Sequence, residues 1–316
     1  MRSVLPTTVG IVGAGLAGLT CAERLRAAGV NAIVVEKSGD IGGRLATRRR
    51  DGRSWSHGAP AVDVRSAEFR EQIESLRSQG HAEWLPGNTA AVGVPDAREL
   101  LRPLVEGAVE FDAEVVRLQR GPVGWTLLLH DGRALGLFDV VVITAPVPQT
   151  CALLRASRVE FPDSIAHVGY TPCWALLLAL SDPGIDLTSL AHSTVFGNVG
   201  RSAPQRGATG DCSWVLHARP EWSAQHLERA AQDVLQLLLA ELTSSFGRAI
   251  DPAAAFAHRW RFARALQPMR RDCLWLPAAR VAIGGDGFAG GDAEGAFRSG
   301  LALASTVLGI VHERSG

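Results

Sequence analysis

The sequence predicts an α/β protein in which a first domain is interrupted by a second, α+β domain and is completed by the C-terminus. The first observation is that the chain opens with an apolar strand, a glycine-rich turn, a helix and a second strand. The second is the continuously apolar run at 138–144, which is typical of a strand buried on both faces of a parallel sheet. The third is that residues 281–311 return to a strand, a glycine-rich turn and a helix.

The opening segment has the pattern of a Rossmann-type dinucleotide site. Strand Thr8–Val12 leads into the turn GAGLAG at 13–18, a helix that ends at Gly29, and strand Asn31–Val35, which ends at Glu36. The glycines allow backbone amides to approach a pyrophosphate, and the partial positive charge of the helix N-terminus favours the negative charge of that group. The carboxylate of Glu36 can accept hydrogen bonds from a ribose. The residues expected to contact the cofactor here are Gly13, Gly15, Leu16, Ala17, Gly18, Glu36 and Lys37.

The pattern of predicted strands and helices changes at Pro148. Before this residue the pattern predicts a helix, a strand and a hairpin, at Asp96–Glu106, Val109–Leu118 and Trp125–Leu137. After it the pattern predicts two strands and a helix, at Trp174–Leu180, Ser213–Ala218 and Leu227–Leu242. The end of the chain returns to a strand, Val281–Ile283, and a final helix from about Ala293 to Val311.

These elements predict two domains. We assign residues 1–65, 96–150 and 276–316 to the dinucleotide-binding domain, and residues 66–95 and 151–275 to a substrate domain. The loop from Thr194 to Gly210, rich in Gly, Ser, Pro and Arg, is expected to be the most mobile segment.

Composition excludes several classes of function. Lys plus Arg equals Asp plus Glu at 32 each, so nucleic acid and anionic membranes are not expected partners. Five cysteines without CxxC spacing indicate neither a disulfide framework nor a zinc site, and they favour a reducing cytoplasm. The uncharged run at 299–311 is shorter than a membrane span, and no HExxH or GxSxG motif occurs. We therefore expect a cytoplasmic enzyme without a metal.

Two further glycine motifs indicate which dinucleotide binds. Gly42-Gly43-Arg44 follows Glu36 closely and resembles the motif of the flavin-containing amine oxidase superfamily, which implies that the arginine contacts the pyrophosphate of FAD. Gly284-Gly285-Asp286-Gly287 resembles the segment that closes the same site, with Asp286 on the ribityl or phosphate side. The helix N-terminus at Glu294-Gly295-Ala296 would then face the flavin. No second GxGxxG occurs, so FAD is the one dinucleotide cofactor that we expect.

Interior segments make the resemblance more specific. The segments that resemble the renalase family, particularly its bacterial members, are Gly58-Ala59, Thr144–Gln149, Ser213–Ala218, His258–Ala263 and Gly284–Phe288. The resemblance implies a two-domain fold of the p-hydroxybenzoate hydroxylase type, non-covalent FAD, and oxidation of misreduced 2- or 6-dihydro isomers of NAD(P) with O2 reduced to hydrogen peroxide. Further cofactor contacts are expected from Gly43, Arg48, Gly58, Ala59, Val115, Pro146 and Gly285. The sequence departs from that family at Pro60-Ala61-Val62, in a loop that lies close to the flavin in the family.

Two alternatives stay open. The first is an amine oxidase of this superfamily. Its amine oxidases resemble one another in a lysine near the flavin and a pair of aromatic residues. Here the sole lysine is Lys37 and the sole tyrosine is Tyr170, so neither feature can be assembled in the usual form. A non-enzymatic dinucleotide sensor is the second alternative, and the protein is expected to be a monomer or a homodimer. The residues expected on the substrate side are His217, Trp214, Trp260, Arg259 and Tyr170, with core packing as the competing interpretation of the histidine and the tryptophans. His217 should share a strand face with Val215.

Overall fold

The computed structural model describes residues 7–105, 107–182, 184–202, 212–247 and 249–315. Its strands are β1 (Thr8–Val12), β2 (Asn31–Val35), β3 (Thr47–Arg50), β4 (Arg53–Ser56), β5 (Val62–Asp63), β6 (Ala82–Trp84), β7 (Ala90–Gly93), β8 (Val109–Glu110), β9 (Val115–Arg120), β10 (Trp125–Leu129), β11 (Ala134–Phe138), β12 (Val140–Ile143), β13 (Tyr170–Leu180), β14 (Phe196–Arg201), β15 (Cys212–Ala218), β16 (Ala254–Ala265), β17 (Cys273–Leu276) and β18 (Val281–Gly284). Its α-helices are α1 (Leu16–Ala27), α2 (Ala67–Ser78), α3 (Val147–Ala156), α4 (Pro220–Gln225), α5 (Ala231–Phe246), α6 (Asp286–Ala289) and α7 (Ala293–Ser315). Short 3₁₀ helices lie at Gly43–Leu45, Ala97–Leu104, Asp163–His167 and Thr188–His192.

A six-stranded sheet organises the first domain, in the order β17-β18-β12-β1-β2-β8. Strand β1 pairs in parallel with β2 and β12, and β12 pairs in parallel with β18. Helices α1 and α7 pack on one face, and strands β9–β11 with α3 pack on the other. The carboxyl ends of β1, β12 and β18 therefore meet at one edge, where ligands bind in open α/β sheets. The predicted α/β fold with a Rossmann-type domain is confirmed.

A second sheet, with four antiparallel strands in the order β14-β15-β13-β16, lies outside the parallel sheet. Strand alternation gives it two different faces. Leu176 and Leu216 pack under α5, whereas Leu177 and Val215 lie on the opposite face against Trp55 of β4. The second face therefore looks toward the first domain.

Residues 66–95 do not belong with this second sheet. The apolar stripe of α2, formed by Phe69, Ile73 and Leu76, lies in the core that α1 and α7 share. The expected domain boundary was wrong there, because an amphipathic helix does not reveal in the sequence which surface covers its stripe.

Other differences from the sequence expectations are local. The helix expected at 96–106 is a 3₁₀ helix that contains Pro103. The strand expected at 109–118 is split into β8 and β9, with Asp112 at φ +50° between them. Part of the loop expected to be mobile is strand β14, and residues 203–211 lie outside the described residues. Among the described residues, no helix combines the length and the apolar character that crossing a membrane requires.

Candidate functional site

The first glycine turn leaves its backbone open to a ligand. A Cβ at Gly18 would lie 2.0 Å from the carbonyl oxygen of Gly13, so α1 can approach the end of β1 only with glycine here. Gly15 precedes the helix and supplies no side-chain cap. The first amides of the helix, including those of Leu16 and Ala17, are thereby left for an anion.

Two more glycine segments border this turn. The amide of Gly42 donates to the carbonyl of Ala14 at 3.1 Å, and a Cβ at Gly43 would lie 3.3 Å from Cα of Gly15. Gly285 has φ +123° and approaches the carbonyl of Thr144. Three glycine backbones thus form a cradle at the carboxyl edge of the parallel sheet.

Glu36 lies buried beside the cradle. Its carboxylate accepts hydrogen bonds from the amide of Ala14 at 2.8 Å and the amide of Ser38 at 2.9 Å. Oε1 also accepts from the hydroxyl of Ser38, so of the about four acceptor positions of the carboxylate one remains for a ribose. The side chain of Lys37, which was expected to contact the cofactor, is exposed.

Arg44, Asp286 and Tyr170 connect distant parts of the chain. The guanidinium donates to both carboxylate oxygens of Asp286, at 2.6 and 2.5 Å, and the hydroxyl of Tyr170 donates to Oδ1 at 3.3 Å. Burial alone would lower the pKa of Arg44, but the charge and hydrogen bonds of Asp286 raise it. Burial raises the pKa of Tyr170, which keeps its hydroxyl a donor. The first and last cofactor motifs are therefore joined, and the substrate domain is tied to them.

The start of α7 differs from expectation. The carboxylate of Glu294 accepts from the amides of Arg65 at 2.7 Å and Ser66 at 2.9 Å, so it holds the entry to α2. The amide of Gly295 donates to Asp292 Oδ1, and that of Ala296 donates to the carbonyl of Asp292. Asp292 therefore caps the helix, and the Glu294 carboxylate is engaged at α2, whereas the flavin was expected there; the cofactor contacts of Glu294, Gly295 and Ala296 stay predictions.

The face of the second sheet that looks toward the first domain carries the rings of His217, His258 and Trp260, which contact His57, the residue directly after β4. We call the rings of these four residues the imidazole wall. Nε2 of His217 and Nε1 of Trp260 both donate to the carbonyl oxygen of His57, at 3.0 and 2.9 Å. The His57 ring stacks on Trp260 with a centroid distance of 5.1 Å, and His258 meets both rings edge-on at 4.5 Å. As expected, His217 shares its strand face with Val215.

The wall is attached to the cofactor cradle through residues 57–59. The amide of Ala59 donates to the carbonyl of Arg44 at 2.8 Å, and a Cβ at Gly58 would lie 2.0 Å from the same oxygen. The chain therefore passes from the wall directly onto the turn that carries Arg44.

The wall histidines are neutral at pH 7. Burial, with the neighbouring His258, lowers the pKa of His57 to about 3. Burial and the charge of Arg48 lower the pKa of His258 to about 4, and burial lowers that of His217. No carboxylate contributes to the shifts of His217 or His258.

Three expected site residues lie elsewhere. Trp214 is 3% exposed in the core under α5, and Arg259 is exposed, donates to the carbonyl of Leu227 and lies over Trp174. Both point away from the wall because they alternate with His217 and Trp260 along their strands, so their placement on the substrate side was wrong. The guanidinium of Arg48 lies 4.6 Å from the ring centroid of Phe256, on the substrate-domain sheet, and its expected cofactor contact stays a prediction.

Val115 and Pro146 lie near the edge of the parallel sheet. Val115 begins β9, is partly buried, and packs on the hydrophobic core between the parallel sheet, strands β9–β11 and helix α3. Pro146 directly precedes α3. Their cofactor contacts stay predictions.

Sequence reasoning missed His57 and His258. The positions Phe256, His258 and Trp260 alternate along β16 and therefore share one face of that strand. This alternation, and the position of His57 directly before Gly58-Ala59, were the available signals. Among the described residues, no group of three His, Cys, Asp or Glu side chains is arranged to hold a metal ion.

The geometry thus defines a dinucleotide-binding protein with a second domain that presents an aromatic surface to the cofactor side. Comparison with known proteins agrees with this class. Residues 11–71 match the model of the NAD(P)-binding Rossmann-like domain, and residues 97–308 match that of the flavin containing amine oxidoreductase family. The chain belongs to the flavin-containing amine oxidoreductase family, and its cofactor is FAD.

Individual relatives are more distant. The glutamate synthase [NADPH] small chain of Mycobacterium tuberculosis is 33% identical over 134 residues, which are 42% of this chain and 23% of that protein. Protoporphyrinogen oxidase 2 of Arabidopsis thaliana is 34% identical over 76 residues, 24% of this chain and 15% of that one. This chain therefore spans less than a quarter of each of these relatives. Cyclohexylamine oxidase from Brevibacterium oxydans has the same fold, with a TM-score of 0.64, 13% identity, and coverage of 99% of this chain and 100% of that chain.

The residues of the cradle fit FAD. A helix N-terminus without a side-chain cap suits a pyrophosphate, Glu36 retains acceptor capacity for a ribose, and the glycines leave the space that a Cβ would fill. The expectation of FAD as cofactor is confirmed.

Proposed function

We propose that this protein is an oxidase that takes a hydride from a reduced planar nitrogen heterocycle, such as a misreduced 2- or 6-dihydro isomer of NAD(P). In this renalase-like reaction the donor is oxidised to the aromatic pyridinium, and O2 is reduced to hydrogen peroxide. FAD supplies the two-electron chemistry that connects these two half-reactions.

The uncharged imidazole wall is the observation that carries this proposal. His57 is buried and stacks on Trp260, so the partly buried rings of Trp260 and His258 are the ones that offer surface on which a heterocycle can stack. The electrostatic neighbour that acts on His258 is Arg48, a cation. Among the described residues no carboxylate contributes to the pKa shifts of the wall histidines, so a protonated amine would lack a counter-charge from that part of the chain, whereas a neutral dihydropyridine ring needs none.

The protonation state of the wall agrees with hydride transfer. His57 and His258, with pKa values of about 3 and 4, are weak bases whose rings are neutral at neutral pH, with one N–H each. Oxidation of a dihydropyridine is driven by aromatisation and needs no obligatory base, so the wall has to orient the donor rather than exchange a proton with it.

An amine oxidase is the second candidate. Membership of the family favours it, as does the shared fold with cyclohexylamine oxidase. Against it stands the position of the sole lysine, Lys37, which is exposed directly after Glu36.

Anaerobic reduction of the bound flavin separates the candidates. The holoenzyme is mixed with 2- and 6-dihydro-NAD(P), and in parallel with cyclohexylamine and putrescine. We expect the dihydro isomers to bleach the flavin absorbance, and air to restore it with release of hydrogen peroxide. Bleaching by the amines alone would establish the second candidate, and binding without bleaching by any compound would indicate a sensor. Acid precipitation of the same sample should release FAD, as non-covalent binding requires.

A further inference from the structure

We infer that Arg48, supported by Arg50, forms an anion subsite at the border of the imidazole wall and binds a phosphate group of the donor. The inference rests on the proposed function in one respect, namely that the anionic group belongs to the same molecule whose ring is oxidised.

Both arginines are held on one ring. The guanidinium carbons of Arg48 and Arg50 lie 4.6 and 5.1 Å from the centroid of Phe256. Residues two apart on a strand point to the same side, so β3 presents both cations toward the second sheet. Trp55 supports the Phe256 ring edge-on at 5.7 Å. The Phe256 ring therefore holds the guanidinium groups of Arg48 and Arg50 close together.

The two arginines that follow Arg48 on β3 both lie beside carboxylates. Arg49 pairs with Asp96 at 2.6 Å, and Arg50 lies 3.5 Å from Asp51. Among the described residues no carboxylate pairs with Arg48, which is nonetheless partly buried. A partly buried cation without a partner is costly, and an anionic group would relieve that cost through charge-assisted hydrogen bonds.

The position of Arg48 connects the subsite with the wall. Its charge lowers the pKa of both His57 and His258, so the guanidinium acts directly on two of the wall rings. Phe256, the ring that Arg48 covers, and His258 are two residues apart on β16 and share one face, so a donor whose ring stacks on the wall can reach Arg48 with a phosphate. Paired charges favour a phosphate dianion over a single carboxylate.

The first test measures anion binding without turnover. Holoenzyme with FAD in slight excess, so that the cradle stays filled, is titrated calorimetrically with inorganic pyrophosphate and with acetate. We expect Arg48→Gln to weaken pyrophosphate binding about tenfold, and Arg48→Lys to retain part of the affinity. The matched control is Arg117→Gln, which removes an exposed charge on β9 and should leave binding unchanged. Equal affinity in wild type and Arg48→Gln, or stronger binding of acetate than of pyrophosphate, would overturn the inference.

The second test uses donors that differ by one phosphate. The 6-dihydro isomers of nicotinamide mononucleotide and of nicotinamide riboside carry the same ring, and only the mononucleotide carries a phosphate. We expect the mononucleotide to half-saturate flavin reduction at about tenfold lower concentration, and Arg48→Gln to remove that difference. If pyrophosphate binds through Arg48 but neither donor reduces the flavin, the proposed function fails and the subsite stands. If both donors reduce the flavin equally in wild type, the subsite fails and the proposed function stands.

Discussion

At the scale of single residues, the carbonyl of His57 is one of the contacts that attach the first domain to the second sheet. It accepts hydrogen bonds from His217 on β15 and Trp260 on β16. A carbonyl oxygen has two lone pairs and can serve both donors at once. His217, expected to bind substrate, thus uses Nε2 for this attachment.

Replacement of the two donors should be non-additive. His217→Leu or Trp260→Phe alone leaves the carbonyl one partner and should lower the free energy of unfolding by about 1 kcal/mol. The double variant leaves the carbonyl without either side-chain donor and should lose roughly 3 kcal/mol or more. Urea unfolding of the four holoproteins measures the difference. Additive losses would show that the two hydrogen bonds are independent.

At the scale of elements, the contact between α1 and β1 depends on Gly18. Its missing side chain lets the helix begin against the carbonyl of Gly13. Gly309 is also helical, in α7, but it is exposed and no atom lies within 4 Å of the place a Cβ would take. The two glycines therefore allow a matched comparison of the same substitution.

Gly18→Ala should reduce both stability and FAD retention. Overpacking at this contact is expected to cost about 3 kcal/mol, since helix and strand must separate. Gly309→Ala should instead stabilise the protein by roughly 0.5–1 kcal/mol, because alanine restricts the unfolded chain and favours the helix. Thermal unfolding and the flavin-to-protein absorbance ratio measure both effects. A Gly18→Ala protein with normal flavin content would contradict the close packing.

At the scale of the whole molecule, the neutral histidines between the two sheets make stability depend on pH. In the unfolded chain a histidine titrates near 6.5, whereas His258 and His57 titrate at about 4 and about 3 in the fold. Between these values the unfolded chain binds more protons than the folded one. Stability contributed by the neutral rings is therefore complete above about pH 6.5 and is lost as the pH falls toward 4 and below.

Urea unfolding at pH 7 and pH 5 should show this loss. Each of the two histidines contributes at most about 1.4 kcal/mol per pH unit within the window. His258→Phe keeps an aromatic ring but cannot take up a proton, so its loss between pH 7 and pH 5 should be smaller than that of the wild type. Equal losses in the two proteins would place the titrating groups elsewhere.

The parts of the molecule that depend on local stereochemistry could be predicted from the amino-acid sequence. Strands Thr8–Val12 and Asn31–Val35 lie where the apolar runs predicted them, and the glycine turn between them follows from the backbone angles and close approaches that only glycine permits. The hairpin near Asp131-Gly132 and the final helix were predicted for the same reason. FAD binding follows from these local patterns, because each motif carries its own chemistry.

Tertiary structure alone decided which distant groups meet. Arg44 and Asp286 are 242 positions apart, and His57 meets Trp260 across 203 positions. The sequence shows that Trp214 and His217 alternate, but the packing of α5 decides which face becomes core. The packing of α2 likewise decides that the carboxylate of Glu294 accepts hydrogen bonds from the amides of Arg65 and Ser66. Periodicity encodes which side chains share a face, whereas the partner of that face depends on the register and packing of the complete chain.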